Sequence, residues 1–342
     1  MLKSASAMRG LVLRSIAAII LIGLVGCGPR SDAIVVITLH PFNPTIMYIA
    51  TNDYIYKSRD EGTTWEKISG GMSHSRVIAL AIDPRFPATI YAGTKGDAIY
   101  KSYDGGHRWV AQKNGLDDVT VTSVVNQILF DPNDGNRLFA ATTMGIFASD
   151  DGGDTWKKRM AGMTDILMVV TLAINPQRPD VMYAGTSGGV FKSTDRAKTW
   201  AKANQGLVSP ELLSSSRALM VNAVHVDPGT PDLVYAATLN GLYKTTDGGS
   251  SWTRIGLGLP DQMISVMNIS PRGTLYVAGR QGPSRSDDQG MTWKQINVGL
   301  ESSNIRSLAI APQDAKTLYL GTNGSGLYRT HDGGETWHRI RR

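Results

Sequence analysis

Side chains suited to acid–base chemistry are scarce in this sequence. Its five glutamates are Glu61, Glu66, Glu211, Glu301 and Glu335. Two carboxylates about 5–10 Å apart, one protonated and one ionised, would be needed to hydrolyse a glycosidic bond. Six histidines (His40, His74, His107, His225, His331 and His338) are scattered along the chain without metal-ligand spacing. No metal or cofactor is expected. The single cysteine, Cys27, excludes a disulfide within the chain and leaves a thiol nucleophile as its available chemistry.

Cys27 follows a basic start (Lys3, Arg9, Arg14) and an apolar run from Ile16 to Val25. That run is about half the ~20 residues a spanning helix needs, and the order is that of a secretory signal. Leu24-Val25-Gly26-Cys27 resembles a bacterial lipobox. The resemblance implies cleavage before Cys27, lipidation of its thiol, and membrane attachment outside the cytoplasm. Gly28 stands where an Asp would resemble an inner-membrane retention signal. The periplasmic face of the outer membrane is therefore the expected address in a cell with two membranes. Residues 1–26 read as the signal peptide, 27–33 as the lipidated tether, and 34–342 as the folded part. The formal charge is +6, but three basic residues lie in the leader, leaving the rest at +3. No Lys/Arg run accompanies it, so nucleic acid is not an expected partner.

The elements that must position any site are announced by tryptophan. Each of the seven ends the same octapeptide: Ser58 to Trp65, Ser102 to Trp109, Ser149 to Trp156, Ser193 to Trp200, Thr245 to Trp252, Ser286 to Trp293 and Thr330 to Trp337. Successive tryptophans are 44, 47, 44, 52, 41 and 44 residues apart, a period suited to four short strands and their turns. In the second period the strands read as Ile78–Ile82, Ile90–Thr94, Ala98–Ser102 and the segment from Trp109, with Asp83-Pro84 ending the first. Equivalents recur at Leu172–Ile174 with Met182–Thr186, and at Leu308–Ile310 with Leu318–Thr322. One such sheet cannot bury both faces, whereas a closed ring can. The expected fold is an all-β, seven-bladed β-propeller of four-stranded antiparallel blades. No strand is left over, so first and last blades should close by face packing.

The octapeptide has a mechanical reading. Its aspartates (Asp60, Asp104, Asp151, Asp195, Asp247, Asp288 and Asp332) can accept backbone N–H bonds in the turn, and its glycine supplies a positive φ. Its indoles (Trp65, Trp109, Trp156, Trp200, Trp252, Trp293 and Trp337) bury large rings. Box four carries Ala197 in place of Gly. Blade six has a short first turn and Pro283 in its third strand, which predicts a distorted strand and a gap near Arg280 and Arg285. Pairs such as Gly71-Met72, Gly115-Leu116, Gly162-Met163, Gly206-Leu207, Gly258-Leu259 and Gly299-Leu300 recur between blades and predict packing at blade junctions.

Strand alternation places the two-to-three hairpins and the interblade connections on the face opposite these octapeptides. Binding candidates on that face are Arg76, Lys95, Asp97, Arg217, Asn240, Arg280, Arg306 and Asn323. Its remaining acids are Asp53, Asp117, Asp118, Asp165, Asp261, Glu211 and Glu301. The least repeat-like connection, Gln205 to Met220, is a further candidate, because insertions in repeat proteins often mark a binding face.

The octapeptide resembles the Asp box, or BNR repeat, found in sialidases, xyloglucan-type glucanases, sortilin-like receptors and the photosystem II stability/assembly factor family. In such propellers, the resemblance implies, ligands lie away from the boxes and around the central opening. The sialidase motif, an Arg triad introduced by Phe-Arg-Ile-Pro, is not matched; the nearest string is Arg85-Phe86-Pro87 in a turn. The glucanases pair two propellers, and this sequence encodes one. Residues 34 to 340 are similar to the assembly-factor family in its lipoprotein form. The resemblance implies a non-catalytic, membrane-tethered propeller that binds a protein partner and serves assembly of a membrane or envelope complex. The alternative is a glycan-binding or glycan-cleaving propeller.

Overall fold

Short runs of β-branched and aromatic residues, cut by Gly, Pro and Asp, make strands too short to form one continuous sheet. The computed structural model describes residues 33–72, 76–97, 99–116, 123–164, 168–207, 219–260 and 263–340. Signal, Cys27, residues 28–32, His74, Asp117, Asp118, Asp165, Glu211, Arg217 and Asp261 lie outside them, as does most of the connection from Gln205 to Met220.

Seven four-stranded sheets form, each from four consecutive strands in sequence order. Blade two comprises Arg76–Ile82, Ile90–Lys95, Ile99–Ser102 and Val110–Gln112. All its pairings are antiparallel, with Ile82 opposite Ile90 and Ile90 opposite Ser102. Its first strand begins two residues earlier than expected, and Ile78 and Leu80 are only half-buried. The register slips between Val77 and Ala79, and matching slips recur at Val125, Val169, Val221 and Ile305. These bulges turn one residue of each inner strand toward the central opening.

Second strands are buried throughout in blades such as Met182–Thr186 and Leu318–Thr322, because each is covered on both faces by neighbouring sheets. Outer strands such as Glu66–Lys67 and His338–Arg339 are short and exposed, which blunts the edges of the ring.

Blade one (Val36–Leu39, Met47–Ala50, Ile55–Ser58, Glu66–Lys67) and blade seven (Ile305–Ile310, Leu318–Thr322, Leu327–Thr330, His338–Arg339) are each made of their own strands. They close the ring through an apolar cluster that sets Ile37, Met47, Ile49 and Trp65 against Tyr319 and Leu327. The Ile34 N–H donates to the Thr322 carbonyl at 3.1 Å, Ser307 Oγ donates to the Ile34 carbonyl at 2.9 Å, and Arg329 reaches Glu61 at 2.6 Å. Face packing closes the ring.

One expectation is corrected. Gly282–Ser286 is a regular strand, paired on both sides, with Pro283 opposite Ala278 and its carbonyl accepting the Ile296 N–H at 3.0 Å. Proline is tolerated because, at this position, the ladder needs only the carbonyl. The first turn of blade six is short, closed by the Ser270 N–H on Thr274 where blade four closes Asn175 on Val181.

Adjacent blades are tied by a recurring bracket. The Tyr91 hydroxyl and Lys101 Nζ both donate to the Gly152 carbonyl in the next box, each at 2.6 Å. Lys57 does the same to Gly105, Tyr183 to Gly248, Lys244 to Gln289, and Arg285 to Gly333. Burial pushes the Tyr91 and Tyr183 hydroxyls up to about 12, so they stay protonated donors. Indole N–H groups add a second tie: Trp109 to Ile68, Trp200 to Arg159, Trp252 to Ala203 and Trp337 to Ile296.

Candidate functional site

The octapeptides are stapled turns. In box three, Ser149 Oγ donates to Asp151 Oδ1 at 2.7 Å and accepts the Gly153 N–H at 2.8 Å. Thr155 donates its N–H to Oδ1 at 2.9 Å and its hydroxyl to Oδ2 at 2.6 Å. The same four bonds recur around Asp60, Asp195, Asp247, Asp288 and Asp332. Box two has Arg108 at the hydroxyl position, so Asp104 keeps the Ser102 and N–H bonds only.

Burial pushes the Asp151 carboxyl up, but the bonds from Thr155 and Ser149 outweigh it and hold the group at about 2. The Thr292 hydroxyl, the Thr292 N–H and the Ser286 hydroxyl hold Asp288 at about 2. Carboxylates so fixed are ionised and coordinatively full at neutral pH, which disqualifies them as general acids. They are structural.

On the opposite face the candidates spread around the ring. In blade two, Arg76 and the exposed Lys95 stand opposite each other in the ladder, and Arg76 Nε is buried without a partner. Asp97 is paired with Lys113 at 2.8 Å and accepts the Tyr100 hydroxyl. Asn240 sits in a blade-five hairpin, its N–H on Thr238 Oγ1 at 3.0 Å and its carbonyl holding Arg254 at 3.0 Å.

The junction of blades six and seven gathers three candidates. Ser303 Oγ donates to the Arg280 carbonyl at 2.8 Å, the Asn323 N–H donates to the Asn304 carbonyl at 3.0 Å, and Arg306 follows on the adjoining inner strand. Arg280, Arg306 and Asn323 are all exposed.

Around the central opening lies a cavity of about 300 Å³ lined by inner-strand residues, among them Asn126, Gln127, Asn222 and Arg306. Asn126 Nδ2 donates to the Val169 carbonyl at 2.7 Å and Asn222 Nδ2 to the Ile264 carbonyl at 3.0 Å, so both amides brace the next blade. These amides were missed by sequence reasoning. A polar residue at the same inner-strand position in blades three and five was the available signal. Among the described residues, the cavity lining contains one charged side chain, Arg306, and no carboxylate.

The described acids of this face do not converge. Glu301 is paired with Arg339 at 2.8 Å, Asp97 with Lys113, and Asp53 is exposed on its own hairpin. Among the described residues no group of three or more His, Cys, Asp or Glu stands close enough to hold a metal ion.

Comparison with known proteins joins this geometry to a repeat. The BNR/Asp-box repeat family is matched at residues 328–339, from the third strand of blade seven through its box. The chain is a seven-bladed propeller, and the turn of its last blade matches the Asp-box repeat. No curated protein matches it in sequence.

Among solved structures, an ancestral GH74 enzyme is similar at a TM-score of 0.72 and 17% identity, over 91% of this chain. The propeller spans only 46% of that enzyme's length. YCF48 bound to D1 peptide is similar at a TM-score of 0.64 and 17% identity, covering 86% of this chain and 92% of that one. YCF48 from Cyanidioschyzon merolae gives 0.63 and 16%, over 89% and 96%. At these identities the likeness is one of fold, and fold alone does not assign chemistry.

Proposed function

We propose that the Asp-box propeller is a non-catalytic scaffold that holds a protein partner on its box-distal face while tethered to a membrane through lipidated Cys27. The observation that carries this reading is the cavity at the central opening, lined among the described residues by Arg306 and bracing amides and by no carboxylate. Glycoside hydrolysis needs two acids facing one bond. The acids described on this face are instead ion-paired, as Asp97 and Glu301 are, or isolated, as Asp53 is. Likeness along nearly the whole of YCF48, a propeller described with a bound D1 peptide, supports a peptide partner. An assembly or stability role for a membrane or envelope complex fits that partner class.

The chain enters blade one beside Thr322, at the box-distal end of blade seven's second strand. A tether from Cys27 would therefore attach on the proposed binding face and bring it close to the bilayer. The periplasmic face of the outer membrane is the proposed address in a cell with two membranes.

The test is mild crosslinking of the tethered chain in membranes of its source, followed by mass spectrometry. Crosslinks from a membrane or envelope protein to the hairpins carrying Arg280, Arg306 and Asn323 are expected. They should be lost when Arg280 and Arg306 are both changed to Glu. Recovery of polysaccharide alone, with release of reducing ends, refutes the scaffold and favours the glycan-cleaving reading.

A further inference from the structure

Every blade junction carries the Tyr–Lys or Tyr–Arg pair except that between blades three and four. Phe139 stands where other blades have Tyr48, Tyr91, Tyr183, Tyr235, Tyr276 or Tyr319, and Ala148 stands where they have Lys or Arg. Arg159 stands where Ile68, Ile255, Ile296 and Ile340 pack against the glycine of the following box, and that glycine is here Ala197. Phe139 and Ala148 vacate the space that the bracket fills elsewhere, and Arg159 extends along it beside Ala197.

The result is a cavity of about 370 Å³ on the box side of the ring, within the size range of small-ligand sites. Phe139 and Ala148 form its floor, and Arg137, Asp150, Arg159, Asp180, Asp195, Arg196 and Lys198 its walls. Two of the three acids in the walls are engaged. Asp195 is saturated by Ser193 and Thr199, while Asp150 accepts Arg137 Nε at 2.6 Å and stands 3.8 Å from Arg159.

The cations are less so. Arg196 reaches no acid closer than Asp131 Oδ2 at 3.9 Å, and Lys198 has no ion pair among the described residues. Asp131 itself is 1% exposed, and its Oδ2 lacks a hydrogen-bond partner. It stands 3.9 Å from both Arg137 and Arg196, so its charge steers two guanidiniums without using their donors. The backbone is also strained here. Arg196 (φ 58°) and Ala197 (φ 61°) make box four the one box with no glycine at either positive-φ position. Such strain persists where its surroundings over-determine it, commonly at sites that bind.

We propose that this cavity binds a small organic acid, its oxyanion taken by Arg159, Arg196 and Lys198 and its hydrocarbon body lying on Phe139 and Ala148. Guanidiniums suit carboxylate and phosphate equally because both present paired oxygens to a planar fork. The site lies on the opposite side of the ring from the proposed partner surface, so either assignment can fail without the other.

The experiment titrates the folded chain with benzoate, phenyl phosphate, inorganic phosphate and benzyl alcohol, following binding by calorimetry and the melting temperature. Saturable binding of benzoate or phenyl phosphate is expected, at least tenfold tighter than that of inorganic phosphate or benzyl alcohol. The double variant R159Q/R196Q should weaken it at least tenfold. F139Y/A148K, which rebuilds the bracket of the other junctions, should abolish it while melting no lower than the parent. No saturable binding by the parent chain overturns the proposal, as does undiminished binding by R159Q/R196Q. Phosphate binding as tight as phenyl phosphate overturns the apolar floor.

Discussion

Pro283 and Asn297 show how one atom changes a conserved-looking corner. In blade four the Val190 N–H donates to Asn204 Oδ1 at 2.8 Å, and Asn204 Nδ2 donates to the Gly188 carbonyl at 3.0 Å. Blade six keeps the second bond, from Asn297 Nδ2 to the Gln281 carbonyl at 3.2 Å. Proline has no N–H to make the first, and Asn297 Oδ1 is left buried without a partner. A buried acceptor in that state costs about 1–3 kcal/mol, while the fixed φ of proline returns about 0.4–1 kcal/mol through the unfolded chain. The acceptor wins. Pro283→Val is expected to stabilise the protein by about 1 kcal/mol, and calorimetry should show a melting point about 2 °C higher. Removing the acceptor instead, with Asn297→Leu, should be far less harmful in the parent than in Pro283→Val. Equal effects in both backgrounds would show that position 283 does not govern the Asn297 oxygen.

Between blades, the Gly-Leu and Gly-Met turns do what their recurrence suggested. Leu116, Met163, Leu207 and Leu259 are buried. At Gly206 (φ 79°) an added Cβ would overlap the Trp252 carbonyl, whereas at Gly258 (φ 96°) it would meet nothing within 4 Å. Left-handed backbone alone costs about 1–2 kcal/mol for an L-residue. Gly258→Ala should destabilise by about that much in denaturant unfolding, and Gly206→Ala by about 3 kcal/mol or more, because overlap adds to the strain. Equal losses would mean that the close approach to Trp252 carries no weight.

At this scale the sequence was highly legible. Trp spacing gave the blades, Asp-Pro and Gly turns gave strand ends, and the absence of a spare strand gave the closure. The site was less so. Arg280, Arg306 and Asn323 share one junction because a loop from Ser303 and Asn304 lies against two hairpins, a proximity that no period encodes. Pro283 misled because a ladder position that needs only a carbonyl looks, in sequence, like any other. The cavity at Phe139 and Ala148 was readable in principle, as a double break in the Tyr and Lys columns. Its meaning required knowing that both columns point at the next box.

The ring as a whole depends on carboxylates that titrate together. Each box carboxyl is held below its ordinary value: Asp151 and Asp288 at about 2, with Asp60, Asp104, Asp195, Asp247 and Asp332 also lowered. An unfolded Asp titrates near 3.9, so below about pH 4 the unfolded chain binds more protons than the folded one. Stability from these groups is therefore complete above about pH 4 and is lost as pH falls toward about 2. Because every box but the fourth meets the bracket of the preceding blade, and the ring has no free end to fray, opening one turn exposes a blade face on either side. Acid unfolding followed by indole fluorescence should thus be a single steep transition between about pH 4 and 2. Asp151→Asn keeps one oxygen to accept Ser149 Oγ and the Thr155 N–H, loses the acceptor of the Thr155 hydroxyl, and has no charge to lose. It should melt lower than the parent at pH 7 and lose less stability between pH 5 and pH 2. A variant with the full acid sensitivity of the parent would place that sensitivity outside the boxes.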